Sequence, residues 1–182
     1  CVRRRTVGEA VTDLVAPDAQ ELALRVERRA AIESLEAWLR DGVASGEIHS
    51  DLHPGGSDEG DAQCGHYFGD GVYVRSLLIP AGYAVVGRLH KQARIILVMT
   101  GKCRFVDEFR ECEVEAPWIG EFQAGSKTAV FAETDTLWAA ALGTDLKDGK
   151  ATFFELTVAN HAEYQQFLEH QSWSGQQLLE PS

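Results

Sequence analysis

The chain has 182 residues, 45% of them hydrophobic, and a formal net charge of −11. That is enough apolar material for one globular core with a helical appendage. The acid excess disfavours nucleic acid or an anionic membrane as partner, and no apolar run approaches the ~20 residues that span a bilayer.

The first element in chain order is DAQELALRVERRAAIESLEAWLR, residues 18 to 40. Pro17 and Asp18 open it, and Glu21 stands at capping-box distance. Ile32, Leu35, Trp38 and Leu39 recur at helical spacing. Such a stripe needs cover, from the same chain or from a neighbouring subunit, and it is the expected interface of a homo-oligomer. Asp41-Gly42 predicts the end of the helix. Residues 42 to 62 are dominated by glycine, serine and acids and read as a linker. They contain His49 and His53, four apart, but on a segment too poor in helix formers to present both to one metal.

From residue 66 the texture is β. Turns are predicted at Gly69-Asp70-Gly71 and Pro80-Ala81-Gly82, with a strand over Val72 to Ile79 between them. Glu111, Glu113 and Glu115 alternate with Cys112, Val114 and Ala116, a strand with one wet and one dry face. Residues 66 to 144 read as an antiparallel sandwich or barrel of about eight strands. ATFFELTV is expected to be a last strand. Asn160 opens a helix with Glu163 at its third position, and the tail from Ser172 shows little periodicity. Cys64, Cys103 and Cys112 have no metal-motif spacing and read as reduced thiols, with Cys103 and Cys112 facing each other across a hairpin. Cys64 and His66, two apart on one strand face, are a weak candidate for a metal clip. The chain divides into a helical arm and linker (1–61), a barrel (62–158), and a helix with tail (159–182). The Gly-rich joint predicts a barrel that folds without the arm.

The stretch GRLHKQARIILVMTG, residues 87 to 101, carries the candidate site. Period-2 geometry puts Arg88, His90, Gln92 and Arg94 on one strand face. Around it the spacing runs Gly82, five residues, Arg88-Leu-His90, three residues, Arg94, six residues, Gly101. A second stretch, PWIGEFQAGSKTAVFA, places Gly125 and Thr128, with Pro117, Gln123 and Ala132 at its remaining motif positions. Both spacings resemble the two motifs of the cupins, β-barrels of jelly-roll type. Over about residues 65 to 170 the wording resembles more narrowly a group of small cupin-like proteins of tailed bacteriophages.

The resemblance implies a mainly β, cupin-like jelly-roll barrel with an N-terminal and a C-terminal helix. It also implies a metal site of three histidines and a carboxylate. The four positions here hold Arg88, His90, Arg94 and Thr128, and only His90 can ligate a divalent ion. No metal, no cofactor and no catalytic residue are therefore expected. Two inward arginines still need a counterpart: an anionic ligand held by Arg88, His90, Gln92, Arg94 and Thr128, acids of the chain such as Glu121, Glu133 and Asp135, or solvent at a wet mouth. The resemblance makes the leading expectation a non-enzymatic structural or interaction protein, a decoration, cement or tail-associated component of a phage virion. A small-molecule (anion) binding cupin is the alternative, and a metal-dependent cupin enzyme the third. Other protein subunits, phage structural proteins among them, are the expected partners. The expected location is the virion for a phage-derived chain and otherwise the cytoplasm.

Overall fold

A computed structural model describes residues 18–48 and 64–177; Cys1, His49 and His53 lie outside this range. A long helix, α1 (Ala19–Ser45), precedes ten strands: β1 (Cys64–Gly69), β2 (Val72–Ile79), β3 (Ala84–Val86), β4 (Leu89–His90), β5 (Arg94–Thr100), β6 (Lys102–Val106), β7 (Glu111–Glu115), β8 (Trp118–Phe122), β9 (Ala129–Ala132) and β10 (Thr136–Gly143). A short helix α2 (Gly149–Glu155), strand β11 (Thr157–Val158) and helix α3 (His161–Gln177) follow.

The strands form two facing antiparallel sheets, ordered β1-β2-β10-β5-β8 and β3-β9-β6-β7, with a small β11-β4 ladder at one end. This is the expected mainly β, jelly-roll architecture with a helix at each end. Alternation along each strand turns one set of side chains inward. Leu77, Ile79, Ile96, Val98, Phe105, Phe122 and Val130 meet between the sheets. Phe105, Trp118, Phe122 and Trp138 form an aromatic cluster with centroids 5.0 to 6.4 Å apart, mostly tilted or edge-on as ring quadrupoles prefer. Gly101 turns the chain from β5 to β6 at φ +82°, and a Cβ there would stand 2.3 Å from the Asp135 carbonyl oxygen. No side chain fits that corner.

Four local expectations change. Helix α1 does not stop at Asp41-Gly42. Gly42 stays helical because Ile48 folds back onto it, within 2.4 Å of where a Cβ would stand, and the chain leaves the helix only at Gly46. ATFFELTV is not one strand: Asp148 caps Ala151 N–H at 2.8 Å and starts α2, leaving only Thr157–Val158 extended. The cap overrides the β preference of Thr152, Phe153 and Phe154. Helix α3 continues to Gln177 from the predicted Asn160 cap, which accepts from Glu163 N–H at 3.0 Å. Finally, Cys103 stands opposite Val114 and Cys112 opposite Phe105, so the two thiols are offset and do not face each other across the hairpin.

Helix α1 lies against the loops that leave β6 and enter β9. Ile32 is 1% exposed and Leu35 is half-buried, while Trp38 stays 62% exposed. Most of the apolar stripe expected at an interface is thus covered within the chain. Lys127, also 1% exposed, pairs with Glu36 of α1 at 3.1 Å. The buried Glu108 carboxylate accepts from Lys127 N–H at 3.2 and 3.0 Å and from Arg29 at 3.3 Å, with His161 of α3 at 3.8 Å.

Candidate functional site

The barrel contains a cavity of about 90 Å³ beneath the β11-β4 ladder and α2. Its walls are apolar on the inner faces of β2, β5, β9 and β10, with Leu77, Ile79, Ile96, Val130 and Trp138 contributing. Its polar lining is Arg75 from β2, Arg88 just before β4, His90 from β4, Arg94 at the start of β5 and Thr128 just before β9. Phe153 and Leu156 close over them from α2 and its end.

Arg94 is buried and donates to the Ser126 hydroxyl at 3.1 Å and the Thr128 hydroxyl at 3.1 Å, with its guanidinium 5.2 Å from the Phe122 ring centroid. Burial pulls its pKa down to about 10, against the distant pull of Asp107 and Glu108. Arg88 donates to the Thr157 hydroxyl at 3.0 Å and lies 5.2 Å from the Phe154 ring. Arg75 donates to Cys64 Sγ at 3.1 Å and stacks on Phe153 at 4.5 Å. Cys64 and His66 are therefore engaged by Arg75 and by Tyr73, whose hydroxyl is 2.6 Å from His66 Nδ1. They do not form a clip.

The acids expected to balance the arginines are elsewhere. Glu133 pairs with Lys102 at 3.0 Å, Asp135 accepts from Ala81 N–H at 2.9 Å, and Glu121 lies exposed on the outer face of β8. Among the described residues no Asp or Glu lines the cavity, and neither Arg88 nor Arg94 has a carboxylate at ion-pair distance. His90 Nδ1 is buried and makes no hydrogen bond among the described residues. Burial holds its pKa well below 6.5, and the charges of Arg94, Arg75 and Arg88 lower it further. The imidazole is neutral at pH 7.

Arg88, His90, Arg94 and Thr128 thus come together as the motif spacing implied, although not on one strand. Only Leu89–His90 is extended, and the chain turns at 91–93. That turn takes Gln92 out of the cavity, to donate to the Gly143 carbonyl at 2.7 Å. Sequence reasoning missed Arg75. Its signal is an arginine at an inward position of VYVRSLLI, where Tyr73, Leu77 and Ile79 mark the buried parity. A divalent metal does not fit the set. One imidazole beside guanidinium groups is a poor site for a cation, and no three His, Cys, Asp or Glu side chains converge among the described residues.

No protein-family model and no curated protein matches the chain. Solved structures with a similar fold include a cupin superfamily protein from Desulfitobacterium hafniense, at 11% identity over 46% of this chain and 80% of that one, with a TM-score of 0.39. KdgF from Halomonas sp. is similar at 11% identity, 47% and 80% coverage, and a TM-score of 0.41. Salicylate 1,2-dioxygenase from Pseudoaminobacter salicylatoxidans is similar at 15% identity over 43% of this chain and 25% of its own, with a TM-score of 0.40. These similarities concern fold, and none ties the chain to bacteriophage proteins.

Proposed function

We propose that the barrel binds a small organic acid, carboxylate outward and apolar body inward. The observation that carries this reading is a cavity lined by Arg88 and Arg94, neither of which has a carboxylate at ion-pair distance among the described residues. Buried guanidinium groups are stable only with a counter-charge or many hydrogen bonds, and the hydroxyls of Ser126, Thr128 and Thr157 are neutral. A carboxylate taking paired N–H bonds from Arg88 and Arg94 supplies the charge. The unpartnered His90 nitrogen offers one more polar contact, and the aliphatic and Trp138 walls accept a short hydrocarbon. A volume of about 90 Å³ favours acids of few heavy atoms. A structural role in a phage particle rests on sequence wording alone, and no feature of the cavity calls for it.

Thermal unfolding of the full chain with acetate, propionate, benzoate and phosphate tests the proposal. A carboxylate present at about a hundred times its dissociation constant stabilises the fold by roughly 2.7 kcal/mol. Arg88→Ala is expected to weaken that ligand about 10- to 100-fold, the cost of a charge-assisted hydrogen bond of about 1.5–3 kcal/mol. No stabilisation by any of the acids at millimolar concentration, or equal stabilisation by the corresponding neutral amides, would overturn it.

A further inference from the structure

Holding a carboxylate engages Arg88 and Arg94 and leaves His90 without a task. His90 lines the same cavity, and its Nδ1 is buried with no hydrogen bond among the described residues. The residue is fixed in place. It pairs with Thr157 in the β11-β4 ladder, and its carbonyl accepts from Gly125 N–H at 2.8 Å. A neutral imidazole keeps a lone pair on one nitrogen. With Nδ1 bare, His90 is a base that no described protein group engages. Arg88 and Arg94, which line the same cavity without a carboxylate at ion-pair distance, are positioned to meet negative charge that develops there.

We infer that the barrel is a tautomerase of small 2-oxo acids, with His90 as the base and Arg94 as the partner of the enolate oxygen. The inference rests on the acid-binding reading above and specifies the acid. A simple carboxylate holds its α-protons too tightly for an imidazole to remove, and an oxo group beside the carboxylate supplies the electron sink. With the carboxylate on Arg88, Nδ1 takes a proton from C3 of the acid. The C3–H electron pair becomes the second C2–C3 bond, and the π pair of the C2 carbonyl moves onto its oxygen. The imidazolium returns the proton to that oxygen, giving the enol, or to C3, restoring the oxo acid. No electrons leave the substrate, and the step needs no co-reactant. Arg94 suits the enolate because its guanidinium is fixed in advance by the Ser126 and Thr128 hydroxyls, each at 3.1 Å, and by the Phe122 ring. Donors that need no rearrangement as charge develops stabilise it most, above all in an apolar pocket. Arg88 engages Thr157 through Nε at 3.0 Å, which keeps its terminal nitrogens for a carboxylate.

Proton NMR of pyruvate in heavy water with the full chain provides the test, with thermal unfolding beside it. Each enol released exchanges its hydroxyl proton with solvent and takes deuterium at C3 on returning to the oxo form. Pyruvate should therefore raise the melting temperature and lose its methyl signal, at a rate proportional to protein and unchanged by EDTA. Propionate should stabilise the fold without exchange. His90→Gln should keep the stabilisation by pyruvate and slow the exchange about 10²- to 10⁴-fold, the usual contribution of a positioned base. In the native chain the maximal rate should fall at acid pH as the imidazole takes up a proton, which reports the base without any substitution. Stabilisation by pyruvate with no exchange above the buffer rate overturns the tautomerase and leaves the acid-binding site standing. No stabilisation by any acid overturns both. Exchange that persists in His90→Gln, or a maximal rate indifferent to pH, also overturns the inference.

Discussion

A chain shortened to residues 62–182 is expected to lose most of its stability, although the linker composition suggests a barrel able to stand alone. The reason is Lys127. Its side chain is 1% exposed, and its one carboxylate partner among the described residues, Glu36 at 3.1 Å, belongs to α1. Removing one member of a buried pair costs about 3–5 kcal/mol because the other charge stays desolvated. Glu36 is itself 30% exposed, which puts the cost at the lower end of that range. The same deletion uncovers the surface against which Ile32 is fully buried, roughly 1.5–3 kcal/mol more, and takes Arg29 from Glu108. Together these approach the net stability of an ordinary domain, about 5–15 kcal/mol. Urea unfolding followed by circular dichroism should show a midpoint far below that of the full chain, or no cooperative transition. Lys127→Met in the shortened chain should recover part of the loss, since the methionine leaves no charge unpaired. If the shortened chain unfolds like the full one, the arm is an appendage after all.

How much of this was legible beforehand depended on whether the determinant was local. Val72 to Ile79 was readable as a strand because alternation and the flanking glycine turns are local signals, and the strand has those limits. The two motif spacings placed Arg88, His90, Arg94 and Thr128 around one cavity because strand and turn lengths fix where a barrel returns. They did not reveal the turn at 91–93, which removes Gln92, since a β4 of two residues leaves too little alternation to read. Helix α2 was hidden for the opposite reason: its apolar residues favour strands, and the single Asp148 cap decides the outcome. Lys127 and Glu36 are 91 residues apart, and Arg75 meets the other arginines only after β2 joins the sheet. No local pattern announces such pairings.

Acid is expected to unfold the protein beginning near pH 6.5, with His90 a principal cause. In the unfolded chain the imidazole takes up a proton as the pH falls past about 6.5; in the barrel it does not, because burial and the three arginines hold its pKa well below that value. The unfolded state then binds more protons, so stability declines as pH falls, by up to about 1.4 kcal/mol per pH unit for each such histidine. His161 adds to the trend, since burial lowers its pKa as well. Glu108 acts with the opposite sign. Burial raises its pKa, so the folded state takes the proton first and gains stability as pH falls toward 4.5. The difference between the native chain and His90→Gln isolates the first contribution: urea midpoints that diverge steadily between about pH 7 and pH 5, the variant being less acid-sensitive. An anion seated against Arg88 and Arg94 offsets part of the positive charge at the imidazole and so raises its lowered pKa. Ligand binding should therefore take up a proton and tighten as the pH falls through the lowered range in which the folded imidazole titrates, but not in His90→Gln. A short-chain sulfonate, which stays ionised throughout, separates this from titration of the ligand itself. Parallel urea midpoints for the two chains would place His90 in a hydrated mouth and remove the basis for the coupling.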